Sequence, residues 1–166
     1  MKLEGFMADS ASINESCQVL TFKLEDEVFG VNIMSVREVL DYTSVTKVPQ
    51  TPDFMRGVIN LRGNVVPVID LKLKFGMNET AHTVNTCIII VEVNLDGESA
   101  VLGALADSVQ EVVDFEKECI EPAPKIGTKL NTDFIKGMAK RDEGFVIILN
   151  IDKIFSIDEL NIITEA

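Results

Sequence analysis

Apolar and polar residues alternate with a period of two in several short runs, each bounded by Gly-, Asp- or Asn-containing turns, the pattern of half-buried strands. CQVLTFKL (17–24), the polar turn Glu25-Asp26-Glu27 and VFGVNI (28–33) predict one β-hairpin. MRGVINLRGNVVPVID (55–70) predicts another: Val58, Ile59 and Leu61 lead into Arg62-Gly63-Asn64, and Val65, Val66, Val68 and Ile69 lead out. That hairpin offers Arg62 at its tip, where a rigid scaffold presents contacts. Pro67 in the outgoing run predicts an edge strand or a bulge, because it cannot donate to a ladder. Residues 1–16 have no period and predict a flexible tail, whereas Ile157, Leu160 and Ile163 predict a helical tail over 157–166.

The chain repeats itself. FGVNIMSVREVLDY (29–42) lies over LGALADSVQEVVDF (102–115), with Gly30 on Gly103, Ser35 on Ser108, Val36 on Val109, Glu38 on Glu111 and Val39 on Val112. Residues 54–75 likewise lie over 134–155, with Phe54 on Phe134, Gly57 on Gly137 and Phe75 on Phe155. At the front, Cys17 falls on Cys87, so the offset changes only between apolar segments, where extra loop length costs little. Each copy predicts strand, hairpin, strand, a connection with a one-turn helix, a second hairpin and a short helix. Thr51-Pro52 and Thr132-Asp133 are the helix-start signals, and Asp70 caps a helix that Gly76 ends. Five strands in some seventy residues predict a small barrel, closed on itself because closure removes exposed edges. The expected fold is thus mainly β: two tandem barrels, about 17–80 and 86–156, with short helices in the connections and at the C-terminus.

Composition narrows the function classes. Twenty-seven acidic against fifteen basic residues give a net charge of −12, which repels phosphate backbones and anionic lipid surfaces, so no nucleic acid is expected as partner. Apolar runs such as Cys87 to Val91 fall far short of the ~20 residues that span a bilayer, and the N-terminus lacks a signal peptide's apolar middle. Direct membrane insertion is not expected, and a cytoplasmic location is. Cys17, Cys87 and Cys119 are odd in number and widely spaced, the pattern of reduced thiols packed as small hydrophobes.

Catalytic groups are scarce. His82 is the single histidine and lies in a polar connector, which predicts a solvent-exposed side chain and no metal site. Asp70 is matched by Asn150, so no carboxylate dyad is expected. Phosphate-binding and nucleophile-elbow motifs are missing, and neither enzymatic activity nor a cofactor is expected. What remains is a set of apolar and charged residues at corresponding places: Val36 and Glu38 in one copy, Val109 and Glu111 in the other. Together with Val112 and Arg62 these can rim a groove where the barrels meet, suited to a partner's helix or strand. Each valine taken singly is equally well a core residue, and Arg62 an idle surface arginine.

FGVNIMSVREV, VPQTPDF and GVINLRGNVVPVIDLKLKFG resemble the CheW family of bacterial chemotaxis coupling proteins, and the resemblance continues through LADSVQEV, IEPAPK and FIKGMAKRDEGFVIILNIDKIF, over residues 17–160. It implies two SH3-like five-stranded barrels and a non-enzymatic adaptor. That adaptor links the cytoplasmic tip of methyl-accepting chemotaxis receptors to the regulatory domain of the chemotaxis histidine kinase. The resemblance further implies that Val36 and Gly57 face the kinase, that Glu38, Arg62, Val109 and Val112 face the receptor, and that receptor arrays at the inner face of the cell membrane recruit the protein. With 166 residues the chain has no room for a fused kinase or receiver domain and resembles the free-standing coupling protein. A CheW-like adaptor for a non-swimming phosphosignalling pathway and a ligand-binding double barrel are the alternatives.

Overall fold

The computed structural model describes residues 16–95, 97–122, 132–142 and 144–154. The expected flexible tail lies outside them except for Ser16, which already opens a strand, and the expected helix over 157–166 lies outside them entirely. The strands are β1 (Ser16–Leu24), β2 (Glu27–Asn32), β3 (Val36–Asp41), β4 (Met55–Leu61), β5 (Asn64–Asp70), β6 (Cys87–Leu95), β7 (Glu98–Ala106), β8 (Ser108–Glu116), β9 (Ile120–Glu121), β10 (Ile135–Arg141) and β11 (Gly144–Leu149). One-turn helices α1 (Leu71–Lys74) and α2 (Ile151–Ile154) follow β5 and β11. The protein is mainly β, with two sheets curled as half-barrels.

The sheets do not follow the division at 17–80 and 86–156. One runs β8-β1-β2-β11-β10-β9 and the other β3-β6-β7-β5-β4, so each copy lends its first hairpin to the sheet of the other. The exchange is made by very short links. The turn Ile33–Ser35, capped by the Asn32 side chain accepting from Met34 N–H at 2.9 Å, carries the chain from β2 to the other sheet. In the second copy Asp107 alone separates β7 from β8. The two exchanged junctions are parallel and equivalent, Ile148 opposite Gly30 and Val68 opposite Gly103.

Pairing also corrects the alignment of the first strands. Val19 lies opposite Asn32, and Ile88 lies opposite Leu105, the counterpart of Asn32; Val19 therefore corresponds to Ile88, and Gln18, not Cys17, to Cys87. A one-residue slip sends a strand's side chains to the opposite face, and the corrected register puts equivalent residues in equivalent cores. Leu20, Phe22 and Leu24 of β1, with Ile89, Val91 and Val93 of β6, belong to one large apolar core shared by both sheets. Two smaller cores fill the curls, around Ile59, Val66, Val68, Ile88 and Ile90 in one and Val19, Ala139, Val146 and Ile148 in the other.

Local signals were mostly met. Leu61 pairs with Asn64 across a two-residue loop in which Arg62 (φ 52°) and Gly63 (φ 86°) both take the left-handed conformation, as tight hairpins of this twist require. Asp70 caps α1 by accepting from Lys72 N–H, and Gly76 ends the turn at φ 80°. The one-turn helix expected after Thr51-Pro52 is instead a turn closed by Met55 N–H to Pro52 O, whereas the second copy forms a 3-10 turn, Thr132–Phe134. Pro67 sits in an inner strand, contrary to the edge expectation. It is tolerated because the ladder to β7 starts one residue later, at Val68.

Among the described residues the buried charged side chains, Asp70 and Lys72, are both paired. The Asp70 carboxylate accepts from Lys72 N–H, Thr80 N–H, the Thr80 hydroxyl and the Arg56 guanidinium, at 2.7 to 3.1 Å. Lys72, also buried, reaches Asp107 at 3.2 Å. Burial pushes the Cys17 and Cys87 thiols up, which holds them in the inert protonated form.

Candidate functional site

Outer strands β3 and β8, one from each sheet, flank a groove of about 410 Å³ lined by Leu20, Ile33, Val36, Arg37, Glu38, Val39, Val109, Gln110 and Glu111. Six of these are put in correspondence by the repeat, Val36 with Val109, Arg37 with Gln110 and Glu38 with Glu111. The duplication thus supplies both walls. Val36 is buried in the shared core, and Val109 packs against that core from its half-buried position, so one face of each valine serves the core while the groove passes over the other. Both readings of these valines hold together.

Arg62 reaches this groove through Glu38. Its guanidinium donates two parallel hydrogen bonds to the carboxylate, Nη1 to Oε2 at 2.7 Å and Nη2 to Oε1 at 2.8 Å, the bidentate fork of the strongest ion pairs. The hydrogen bond from Arg62 holds the Glu38 carboxyl below the usual glutamate range, and the same bond raises Arg62. Topologically the pair is a clasp. Glu38 is on β3 and Arg62 at the β4–β5 tip, and β3 and β4 are the two outer strands of their sheet. Laid flat, four strand spacings would hold these strands ~19 Å apart. The contact therefore closes the curl across its open side.

The second sheet carries the same clasp, and the positional alignment concealed it. Aligned residue by residue, Arg62 falls on Asp142, which suggests that an arginine at the tip belongs to the first copy alone. The structure corrects this: Arg141, one residue earlier, ion-pairs with Glu111 on outer strand β8. The tip backbone is shared, Asp142 having φ 54° beside 52° for Arg62, but the cation has moved by one place. The available signal was a basic residue next to the tip together with a glutamate already matched to Glu38.

Each clasp glutamate also forms part of a second cleft, at the mouth of its own barrel. Glu38 shares one of about 440 Å³ with Leu61, Arg62, Val65 and Val101; Glu111 shares one of about 480 Å³ with Val28, Arg141, Asp142 and Phe145. Val65 and Phe145 occupy equivalent places and are both exposed.

The other expected site residues lie elsewhere. Val112 is on β8 opposite Leu20, half-buried against the shared core, and does not line the groove. Gly57 is buried in a bulge between Met55 and Gly57 on β4, with φ 146°, and a Cβ there would meet Thr46 O at 2.2 Å. Its conformation and the close approach of residues 45–46 account for the glycine. His82 is exposed, its ring stacked 4.1 Å from that of Tyr42. Among the described residues no group of three His, Cys, Asp or Glu side chains is placed to hold a metal ion, and no helix is long and apolar enough to cross a membrane.

A family model described as CheW-like domain matches residues 18–159. The chain is 35% identical over 146 residues to the chemotaxis protein CheW of Klebsiella aerogenes, covering 88% of this chain and 86% of that one. It is 32% identical to the chemotaxis protein CheW of Rhizobium meliloti, covering 88% and 92%. Among solved structures, the scaffolding protein TtCheW of Thermoanaerobacter tengcongensis superposes with a TM-score of 0.75 at 37% identity, covering 86% of this chain and 90% of that one.

Proposed function

The chain belongs to the CheW-like domain family, and from that premise we propose that it is a non-enzymatic adaptor of bacterial chemotaxis, coupling the cytoplasmic tip of methyl-accepting receptors to the regulatory domain of the chemotaxis histidine kinase. The observation that carries this reading is the groove between β3 and β8, with an apolar floor and clasped charges on both walls, a surface suited to a partner's helix. In this reading Glu38, Arg62, Val109 and Val112 serve the receptor, and Val36 and Gly57 serve the kinase, Gly57 acting through the backbone it shapes. The protein works in the cytoplasm, recruited to receptor arrays at the inner face of the cell membrane.

The ligand-binding double barrel needs room between the sheets. That space is packed with Leu20, Phe22, Phe29, Ile89, Val91 and Leu102, which leaves the adaptor reading ahead.

The test is to mix the purified chain with a kinase regulatory domain and a receptor-tip fragment, singly and together. Each is expected to bind alone and both at once; binding of neither sinks the proposal. Arg62→Ala is expected to weaken receptor-tip binding roughly fivefold while the thermal midpoint moves little, as for an exposed ion pair. Unchanged receptor pull-down with the folded variant removes this role from Arg62.

A further inference from the structure

A groove lying between equivalent strands has an ambiguity built in. Val36 matches Val109 and Glu38 matches Glu111, so the floor and its carboxylates offer an elongated partner the same features after a half-turn. Something else has to fix which way round the partner lies.

The two clasps differ in which half of the pair faces solvent. In the first, the Arg62 side chain is 70% exposed and Glu38 27%; in the second, Arg141 is 31% exposed and Glu111 58%. Both glutamates line the groove and both arginines the adjoining barrel-mouth clefts, so the more exposed group is a guanidinium beside the first wall and a carboxylate on the second. The tip positions lean the same way, Arg62 corresponding to the exposed Asp142, whereas Arg37, which corresponds to Gln110, is offset by its ion pair with Glu92 at 2.7 Å.

We propose that Glu111 is a specificity-determining residue: with Arg62 it polarises the groove, so that the receptor-tip segment docks in one orientation, an acidic side chain toward Arg62 and a basic one toward Glu111. Complementary charge at an interface rim fixes register and rejects the reversed pose by placing like charges together. Arg141 is a positioning residue, holding Glu111 against the barrel and partly neutralising it. This rests on the adaptor reading.

The sign of two single substitutions separates this role from mere closure of the curl. Glu111→Gln is expected to weaken binding of a purified receptor-tip fragment roughly fivefold, whereas Arg141→Gln, which uncovers the carboxylate, is expected to tighten it. Equal weakening by both variants means that the clasp only holds the barrel shut, and overturns the proposal. Orientation is read directly with a nitroxide on one helix of the fragment. In the wild-type chain it broadens the methyl signals of Val36 and Val109 unequally, and in the Arg62→Gln/Glu111→Gln variant the two become equal. An unequal pattern that survives in the double variant overturns the proposal, as does loss of kinase-domain binding in place of receptor binding. Failure of the wild-type chain to bind the fragment at all is a different result, and overturns the adaptor reading itself.

Discussion

The hairpins 55–70 and 135–150 are one structure with two chemistries. Both carry a bulge at the same place, between Met55 and Gly57 and between Ile135 and Gly137. Both have a left-handed residue at the tip, and both return a backbone N–H, from Asp70 or Asn150, to a phenylalanine carbonyl, of Phe54 or Phe134, at 2.7 Å. Side chains diverge around that frame. The buried Asp70 that gathers Arg56 and Thr80 is Asn150 in the second copy, Arg62 is Asp142, and Val65 is Phe145. Backbone geometry is what the duplication kept, and the residues on it are where the two barrels acquired different surfaces.

The strongest way to break this equivalence is to separate the copies. Val84, fully exposed in the connector, is a suitable cut point. Because each sheet takes a hairpin from the other copy, fragments 1–84 and 85–166 are each expected to lack cooperative unfolding, and their mixture to regain it. A fragment that melts cooperatively by itself, followed by circular dichroism, would contradict the exchanged topology. A smaller effect distinguishes the two bulges. Gly57→Ala places a Cβ against the Thr46 carbonyl at a φ of 146°, and is expected to cost about 3 kcal/mol or more in urea denaturation. At Gly137 a Cβ would meet Ile120 Cγ2 at 2.6 Å and the Glu121 carbonyl at 3.2 Å but the backbone is not left-handed, so Gly137→Ala is expected to cost less, about 1–3 kcal/mol. Equal losses would mean that the bulges are not strained differently.

The gentlest probe addresses the first clasp. Hydrogen bonding from Arg62 lowers the folded Glu38 pKa. The pair's stabilisation is therefore present above the unfolded glutamate value and fades as pH falls through the lowered folded one. A carboxyl-carbon NMR titration is expected to place Glu38 below the ordinary glutamate range and to return it there in Arg62→Ala. A titration unmoved by that substitution would show that the fork does not persist in solution.

The strands, turns and duplication were legible because period-two patterns, glycines and cap residues act locally. The exchange of hairpins was not. Hairpins 17–33 and 87–106 carry the same alternation, so the sequence pattern suits either sheet, and the decision is made by links as short as Asp107. Matching Cys17 to Cys87 failed by one residue for a related reason: residue identity is a weak guide to register beside the face each side chain must take. At the site, the paired valines and glutamates could be read from the repeat. Arg141 could not, because a long side chain reaches the same carboxylate from an adjacent position, and a strict alignment discards it.

The exchange also sets an order of events during synthesis. β1 and β2 leave the ribosome first, yet their lasting neighbours β8 and β11 end at Glu116 and Leu149. The N-terminal hairpin must therefore wait, its apolar face uncovered, until most of the chain has been made. Contacts of such sequence separation fold slowly and leave unpaired strand edges open to other chains meanwhile. The short links that turn the chain from one sheet to the other thus tie completion of one sheet to the end of β7 at Ala106 and of the other to the end of β11 at Leu149.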